Sequence, residues 1–357
     1  MQKKELKIGN KYIGEEYPCF IIAEAGANFK ISEDPEVNFK HALNLIDIAV
    51  DAKADAVKFQ LYSAEKLYVK NAGSADYIGK KKSIFEIIKE MELPKKWLPE
   101  LKNYCDKKGI IFLCTPFDEE SVDELEKISI EAYKIASYSI SHIPLLKYIA
   151  RKGKPIIMST GASNLNDIER AINALRSEGN NQIAIMQCTA KYPAPLENIN
   201  LRVIPMLKER FNVPIGLSDH SREPFIAPMG AVALGAKIIE KHYTTDNNLP
   251  GPDHGFAILS DELKELVSNI HALEKCWGSK TKDVQQPEQE LYKFCRRKIF
   301  ASNNIIEGEL FTKENLIILR SGKKKGFLEP ERINEILGKR SKKNIKSDEP
   351  ILEEHFK

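Results

Sequence analysis

The 357-residue chain contains no apolar run approaching the roughly 18 residues that a membrane-spanning helix needs. Its first residues, Met1-Gln2-Lys3-Lys4-Glu5-Leu6-Lys7, lack the apolar stretch of a secretion signal, so a cytoplasmic location is expected. Charge of one sign is missing too. The 54 basic and 51 acidic residues leave a formal net charge of +3, which makes no general case for nucleic acid or membrane as a partner. Cysteine is sparse and scattered: Cys19, Cys105, Cys114, Cys188, Cys276 and Cys295 form no CxxC pair. That spacing argues against a cysteine-based zinc site and for buried free thiols in a reducing compartment. What is present is ordinary for a globular protein, 42% hydrophobic and 29% charged, which excludes a disordered, fibrous or disulfide-scaffold chain. The length fits two or three domains, or one large barrel with a small module.

The chain opens on Leu6 to Ile13, two short runs flanking Gly9-Asn10, a good two-residue hairpin turn. A rhythm then sets in, an apolar run followed by an amphipathic stretch. Eight runs read as buried parallel strands: 20–26, 56–62, 110–117, 132–137, 155–161, 183–189, 214–220 and 237–244. Between them lie helical stripes. Phe39, Ala42, Leu43, Ile46, Ala49 and Val50 form one apolar face, and comparable stripes fall near 97–108, 119–127, 143–151, 164–176, 198–210, 224–235 and 260–276. Eight βα units predict an α/β fold, a (β/α)8 barrel with an N-terminal hairpin, over 1–277. The competitor is a doubly wound sheet, which would want a glycine-rich dinucleotide loop. The first strand ends instead in Ala23-Glu24-Ala25-Gly26-Ala27-Asn28. Residues 278–290 read as a polar linker, and 291–357 as a small, mostly β module with a helical stretch near Pro330 to Leu337. Ten basic and three acidic residues fall between Arg320 and Lys346, either a solvated face or a lid bringing cations to an anionic site.

A (β/α)8 barrel carries its active site at the C-terminal ends of the strands, and here those ends are polar. In order they hold Glu24 and Asn28; Lys58 and Gln60; Thr115; Lys134 and Ser137; Ser159 and Thr160; Gln187 and Thr189, then Tyr192; Ser218, Asp219 and His220; and Glu240, Lys241 and His242. Polar groups in apolar strands are costly unless paired or used, so their concentration at one end implies a polar mouth. Lys58 and Lys134 suit phosphate or carboxylate. Thr115, Ser137, Ser159 and Ser218 offer hydroxyls to anion oxygens. His220 and His242, on neighbouring strands, can converge on one divalent cation. With only two protein ligands, an exchangeable Mn²⁺, Mg²⁺ or Co²⁺ fits better than Zn²⁺. Glu24 either serves the chemistry or forms a salt bridge with one of the lysines. The set suits aldol-type carbon–carbon bond chemistry on a phosphorylated or carboxylated small molecule.

These residues sit in stretches that resemble the sialic acid (N-acetylneuraminate) synthase family, including legionaminate and pseudaminate synthases. The matching stretches are Ile21 to Gly26, Val57 to Gln60, Thr115 to Phe117, Tyr133 to Ser137, Gly153 to Gly161, Gln187 to Pro193, Gly216 to His220, Ala231 to Ala236, Glu240 to His242 and Gly251 to His254. They span nearly the whole chain in order. The tail resembles the SAF (antifreeze-like) domain such synthases carry, with Glu307-Gly308-Glu309 and Glu314-Asn315-Leu316. The resemblance implies a transferase that condenses phosphoenolpyruvate with N-acetylmannosamine or a related N-acetylated aldose and releases phosphate by C–O cleavage. It also implies roles by position. His220 and His242 would hold a Mn²⁺-like ion, and Lys134, Thr115, Ser137, Ser159 and Ser218 would bind phosphoenolpyruvate. Lys58, Gln60 and Tyr192 would face the sugar, and Glu24 would sit by the reacting centre. Arg320 would reach the neighbouring subunit's barrel in a domain-swapped homodimer.

The chain departs from the family's pattern on the sugar side: Phe29 stands where His is frequent, Tyr138-Ser139 where Gly and an acidic residue are frequent, and Ser321 where Pro is common. The stretch Ile31 to Val37 lengthens the first βα loop, and Lys70 to Tyr77 and Gly251 to His254 lean toward the neuraminate and legionaminate branches. Two other readings compete: a non-catalytic sugar-binding or assembly homologue, which the presence of Glu24, Lys134, His220 and His242 opposes, and a metal-dependent aldolase or lyase without phosphoenolpyruvate, which the hydroxyls around Lys134 oppose.

Overall fold

The computed structural model describes residues 5–74, 82–323 and 327–357, so Ala75 to Tyr77 of the Lys70–Tyr77 stretch lie outside the described residues. The chain divides into two compact units, Met1–Trp277 and Gly278–Lys357.

The first unit opens with an antiparallel hairpin, β1 (Leu6–Ile8) and β2 (Lys11–Ile13). Eight parallel strands follow: β3 (Phe20–Gly26), β4 (Ala56–Leu61), β5 (Ile111–Pro116), β6 (Tyr133–Ile135), β7 (Ile156–Ser159), β8 (Ile183–Cys188), β9 (Ile215–Asp219) and β10 (Ile238–Thr244). Their ladder runs β5-β4-β3-β10-β9-β8-β7-β6, and a two-residue strand, β11 (Ile258–Leu259), pairs with β10. β5 and β6 lie side by side, so the eight strands form a nearly closed barrel. Around it run α1 (Pro35–Asp51), α2 (Ala64–Leu67), α3 (Ile84–Glu90), α4 (Leu98–Lys108), α5 (Glu119–Lys127), α6 (Ile143–Ala150), α7 (Leu165–Ser177), α8 (Val203–Phe211), α9 (Ile226–Ala233) and α10 (Ser260–Lys275). The strands are buried on both faces, as a parallel sheet under helices requires.

Alternation along each strand sorts the core into two apolar clusters. Ile21, Ala23, Val57, Phe59, Phe112 and Ile156 face the helices. Phe20, Ile22, Ala56, Ile111, Leu113, Ile157, Ala184, Met186 and Ile238 cluster inside the barrel, where Leu6, Ile8 and Ile13 of the hairpin join them. The hairpin therefore plugs the N-terminal end of the barrel with apolar side chains. Continuing the inward parity toward the C-terminal ends reaches Glu24, Lys58, Thr115, Lys134, Ser159, Ser218 and Glu240. Fold and site thus share one periodicity.

Helix starts follow the sequence's caps. Asp34 accepts from the Glu36 N–H ahead of Pro35, and Asn164 and Asp167 cap α7 reciprocally. The stripe expected from 198 yields a helix only from Val203, because 196–198 form a 3₁₀ turn and Asn200 adopts a left-handed φ of 56°. The short helices α2 and α3 have no counterpart in the periodicity. They lie in the long loop after β4, where too few turns exist to show a repeat.

The second unit holds α11 (Gln289–Phe294), an antiparallel pair β12 (Arg297–Ala301) and β13 (Leu316–Arg320), and α12 (Ile333–Ile336). Bridges Phe300–Pro350, Ile305–Ile345 and Leu310–Arg340 close it around Ile299, Phe311, Ile336 and Ile351. The stretch expected as linker is already structured at its end, where 286–288 form a 3₁₀ turn and α11 begins at Gln289. All six cysteines are free; four are buried, but Cys276 is exposed and Cys295 half-buried, because both lie at helix ends outside the strands. Among the described residues, no helix is long and apolar enough to cross a membrane.

Candidate active site

The C-terminal mouth of the barrel is a cavity of about 540 Å³. It is lined by Glu24, Lys58, Gln60, Thr115, Lys134, Ser137, Ser159, Tyr192, Ser218, His220 and His242, so every candidate of the first unit faces one space.

At its floor, four buried charges neutralise one another. Lys58 Nζ lies 2.7 Å from Glu24 Oε2 and 3.7 Å from Glu240 Oε2, and Lys134 Nζ lies 3.4 Å from Glu240 Oε1. Glu24 thus makes the salt bridge that was one of its two readings. Hydroxyls and an amide take up part of the remaining valences, while Glu24 Oε2 and Glu240 Oε2 are left with ion-pair contacts alone. Lys58 donates to Thr115 Oγ1 at 3.3 Å, Lys134 to Ser159 Oγ at 2.7 Å, Ser218 to Glu240 Oε1 at 3.0 Å and Gln60 Nε2 to Glu24 Oε1 at 2.6 Å. Burying such charges is tolerable only because they are paired. Burial raises the Glu24 carboxyl above its ordinary range despite Lys58. At Glu240 burial is outweighed by Lys134 and Lys58, which hold the carboxyl low. Burial lowers the Lys134 ammonium, whereas at Lys58 it is overcome by Glu24 and Glu240, which raise it.

The two histidines stand beside this cluster, with ring centroids 5.5 Å apart. The Tyr192 ring stacks on His220 at 4.3 Å and meets His242 edge-on at 6.2 Å. His220 Nδ1 lies 3.1 Å from the Thr189 carbonyl, and donating to it leaves the Nε2 lone pair, with the Cys188 sulfur 4.0 Å away. His242 Nδ1 is buried with no hydrogen-bond partner, and its nearest carboxylate, Asp253 Oδ2, is 3.7 Å away. Burial, then His220 and Lys58, holds the His242 imidazole well below its ordinary pKa, in its neutral, ligating form. At His220 burial is outweighed by the neighbouring Cys188, which raises its pKa, so a cation must displace a proton there. With that ring deprotonated, its Nε2 lone pair and the orphaned His242 Nδ1 fit a divalent cation. Among the described residues no cluster of three or more His, Cys, Asp or Glu is placed to hold one, so the donor set fits an ion completed by substrate and water.

Two glycines permit these approaches. Gly26 has a φ of +50°, and a Cβ there would come within 2.8 Å of Asp253 Oδ2. A Cβ on Gly161, whose N–H donates to Ser137 Oγ, would come within 2.9 Å of that oxygen.

Several polar residues expected at the mouth turn away from it. Asn28 donates to the Tyr243 carbonyl, Thr160 to the Met186 carbonyl and Gln187 to the Ile199 carbonyl. Asp219 and Lys241 pair at 2.6 Å behind the strands, because their parity is opposite to that of His220 and His242. Glu240, expected at the mouth but given no role there, and Asp253, not expected there, also line the cavity. The period of two from His242 marks Glu240; nothing local marks Asp253, which a loop delivers. Phe29 is buried against Trp97, and Ser321 is buried and donates to the Arg296 carbonyl. Ser139 lines the cavity, and Arg320 ends β13 in the second unit, exposed.

Comparison with known proteins agrees with this architecture. The chain is 46% identical to the spore coat polysaccharide biosynthesis protein SpsE of Bacillus subtilis, with 97% of this chain and 95% of that one aligned. It is 39% identical to the N,N'-diacetyllegionaminic acid synthase of Campylobacter jejuni, over 93% and 98%. The crystal structure of the N-acetylneuraminic acid synthetase of Leptospira borgpetersenii, in complex with citrate, superposes with a TM-score of 0.72 at 36% identity, covering 82% of this chain and 96% of that one. The NeuB family model matches residues 45–282 and the SAF domain model 296–357. The chain therefore belongs to the NeuB family of sialic-acid-type synthases, with a SAF domain at its C-terminal end.

Proposed function

We propose that this protein is a cytoplasmic nonulosonic acid synthase, a transferase that joins phosphoenolpyruvate to an N-acetylated aldose and releases phosphate. One observation carries the reading: Lys58 and Lys134 are buried at the base of a cavity, held by Glu24 and Glu240 and ringed by the hydroxyls of Thr115, Ser137, Ser159 and Ser218. Two ammonium groups kept dry amid hydroxyls make a preorganised receptor for a small phosphorylated carboxylate. Entry of the anion lets the lysines exchange carboxylate partners for substrate oxygens.

His220 and His242 would hold the divalent cation, Mn²⁺ in the first instance, which when bound polarises the sugar aldehyde. Tyr192, stacked on His220, and Gln60, tethered to Glu24, would orient the sugar over the floor. Carbon 3 of phosphoenolpyruvate attacks the aldehyde carbon, and carbon 2 becomes an oxocarbenium. Glu24 opposes that positive charge and accepts the proton of the water that adds there, for which its raised pKa suits it. That proton ends on the alkoxide left from the aldehyde oxygen, and the C–O bond to phosphate then breaks as the new C2 hydroxyl becomes a carbonyl and its proton goes to the departing phosphate. In a domain-swapped homodimer, Arg320 would serve the sugar end of the partner's site.

A second reading concerns the acceptor. Leu67, Tyr68, Ile87, Ile88 and Met91 line one flank of the cavity, and Tyr62 secures that flank by donating to the Met91 carbonyl at 3.0 Å. An apolar flank suits methyl groups, and so favours a diacetamido hexose, as in legionaminate or pseudaminate synthesis, over N-acetylmannosamine.

The test incubates the pure protein with phosphoenolpyruvate, Mn²⁺ and a panel of N-acetylmannosamine, its 6-phosphate and diacetamido hexoses, following phosphate release and product mass. Phosphate release is expected, with a product whose mass is that of phosphoenolpyruvate, sugar and one water less phosphoric acid. Silence with every sugar sinks the synthase reading. His220→Ala and His242→Ala should lose turnover while remaining folded, and full activity after EDTA treatment would contradict the metal's role.

A further inference from the structure

The pair Asp219–Lys241 lies outside the cavity, yet it touches both segments that carry the histidines. Lys241 precedes His242 on β10, and Asp219 precedes His220 at the end of β9; the two are register partners. Lys241 is 1% exposed. Its ammonium lies 2.6 Å from Asp219 Oδ2, and donates to the Ser221 carbonyl at 2.6 Å, Ser221 Oγ at 3.1 Å and the Glu223 carbonyl at 2.8 Å. Asp219 in turn accepts from the Ser221 N–H at 2.9 Å and from its hydroxyl at 3.0 Å. The loop 219–223 is thus wrapped around one ammonium group, and His220 lies within the wrap, between the contacting residues Asp219 and Ser221. The His220 carbonyl accepts from Ala194 N–H at 3.0 Å, which fixes the other side of that loop.

A buried ion pair is an expensive way to join two strands, since apolar residues would pack there at least as stably. Its distinctive property is geometric. An ammonium with four partners at fixed distances sets the position of residue 220 relative to residue 242, and a greasy contact would not. A cation held by only two protein ligands depends on that spacing, because no third ligand corrects an error.

We propose that Lys241, with Asp219 as its counter-ion, is a positioning residue that sets the His220–His242 separation for divalent-cation binding. This rests on the two-histidine reading of the site.

Mn²⁺ alone is the probe. The full chain, stripped with EDTA and desalted, is titrated with Mn²⁺ while the free ion is followed by electron paramagnetic resonance. Phosphoenolpyruvate affinity without metal and thermal unfolding are measured in parallel. Wild type should bind Mn²⁺ and His242→Ala should not. Lys241→Met should bind at least about tenfold more weakly, with phosphoenolpyruvate affinity unchanged. Ser221→Ala, which deletes the hydroxyl's contacts to Lys241, Asp219 and the Glu223 carbonyl without leaving a buried charge unpaired, should weaken Mn²⁺ binding by a smaller factor. A folded Lys241→Met with wild-type Mn²⁺ affinity overturns the proposal, since a merely structural role would lower the unfolding temperature and nothing else. If Lys241→Met does not fold, Ser221→Ala decides, and unchanged Mn²⁺ affinity there overturns the proposal. A wild type that binds no Mn²⁺, or a His242→Ala that still binds it, overturns the two-histidine reading itself and the positioning role with it.

Discussion

At the scale of single residues, the mouth of the barrel is a set of charges that tolerate burial only in company. Glu24, Lys58, Lys134 and Glu240 satisfy one another, so each is held where substrate must meet it. A different economy governs His254. It is fully buried, hydrogen-bonded through Nδ1 to Thr244 Oγ1 at 2.6 Å, and its Nε2 has no partner. Burial, with the neighbouring His41, holds its pKa down to about 4 from an ordinary 6.5. The unfolded chain therefore takes up this proton at higher pH than the folded one. The stability tied to the neutral ring is complete above about pH 6.5 and drains away as pH falls toward 4, about 3 kcal/mol in all. Thermal midpoints of wild type and His254→Gln across that range should converge as pH falls, the wild type having the steeper slope. Parallel profiles would rule this out.

At the scale of elements, the hairpin β1–β2 shows how a barrel keeps one end apolar and the other polar. Leu6, Ile8 and Ile13 complete the cluster inside the barrel at the end away from the charges. Ile8 is 0% exposed, and Ile8→Ala should cost about 3 kcal/mol through lost burial and a residual cavity. Denaturant unfolding should show a lower midpoint, while phosphoenolpyruvate affinity at the opposite end stays at the wild-type value. A variant that lost affinity in proportion to stability would show that the plug and the mouth are coupled. The elements also explain which parts of the chain were readable. β3 to β10 carry long apolar runs buried on both faces, and their period survives in the sequence. The helices α2 and α3 are one or two turns long, and their placement on the flank of the cavity depends on contacts such as Tyr62 to Met91 rather than on a local pattern.

At the scale of the whole molecule, the proposed swap makes each site the joint product of two chains. The homodimer predicts complementation. Arg320→Ala should raise the sugar KM at least about tenfold, the order expected for losing one charge-assisted hydrogen bond, and phosphoenolpyruvate KM far less. Mixing Arg320→Ala with His242→Ala under conditions of subunit exchange should restore activity at low sugar concentration, because one of the two sites in each mixed dimer then pairs an intact barrel with an intact tail. Additive, unrestored rates would show that each tail serves its own barrel or none.

The sequence by itself determined the barrel, the small second module and most of the mouth. Inward-facing positions recur every second residue, and a polar side chain at such a position, near a strand's C-terminal end, has nowhere else to go. The same rule, followed one step further, assigns Glu240 to the mouth and removes Asp219 and Lys241 from it. Only the tertiary structure decided what those residues do to one another. Which lysine meets which carboxylate, that Asp253 arrives from a loop beside Gly26, and that one ammonium binds the loop around His220 are all set by distances across strands. Electrostatic and hydrogen-bonding energies depend on those distances, and periodicity along a single chain carries no record of them.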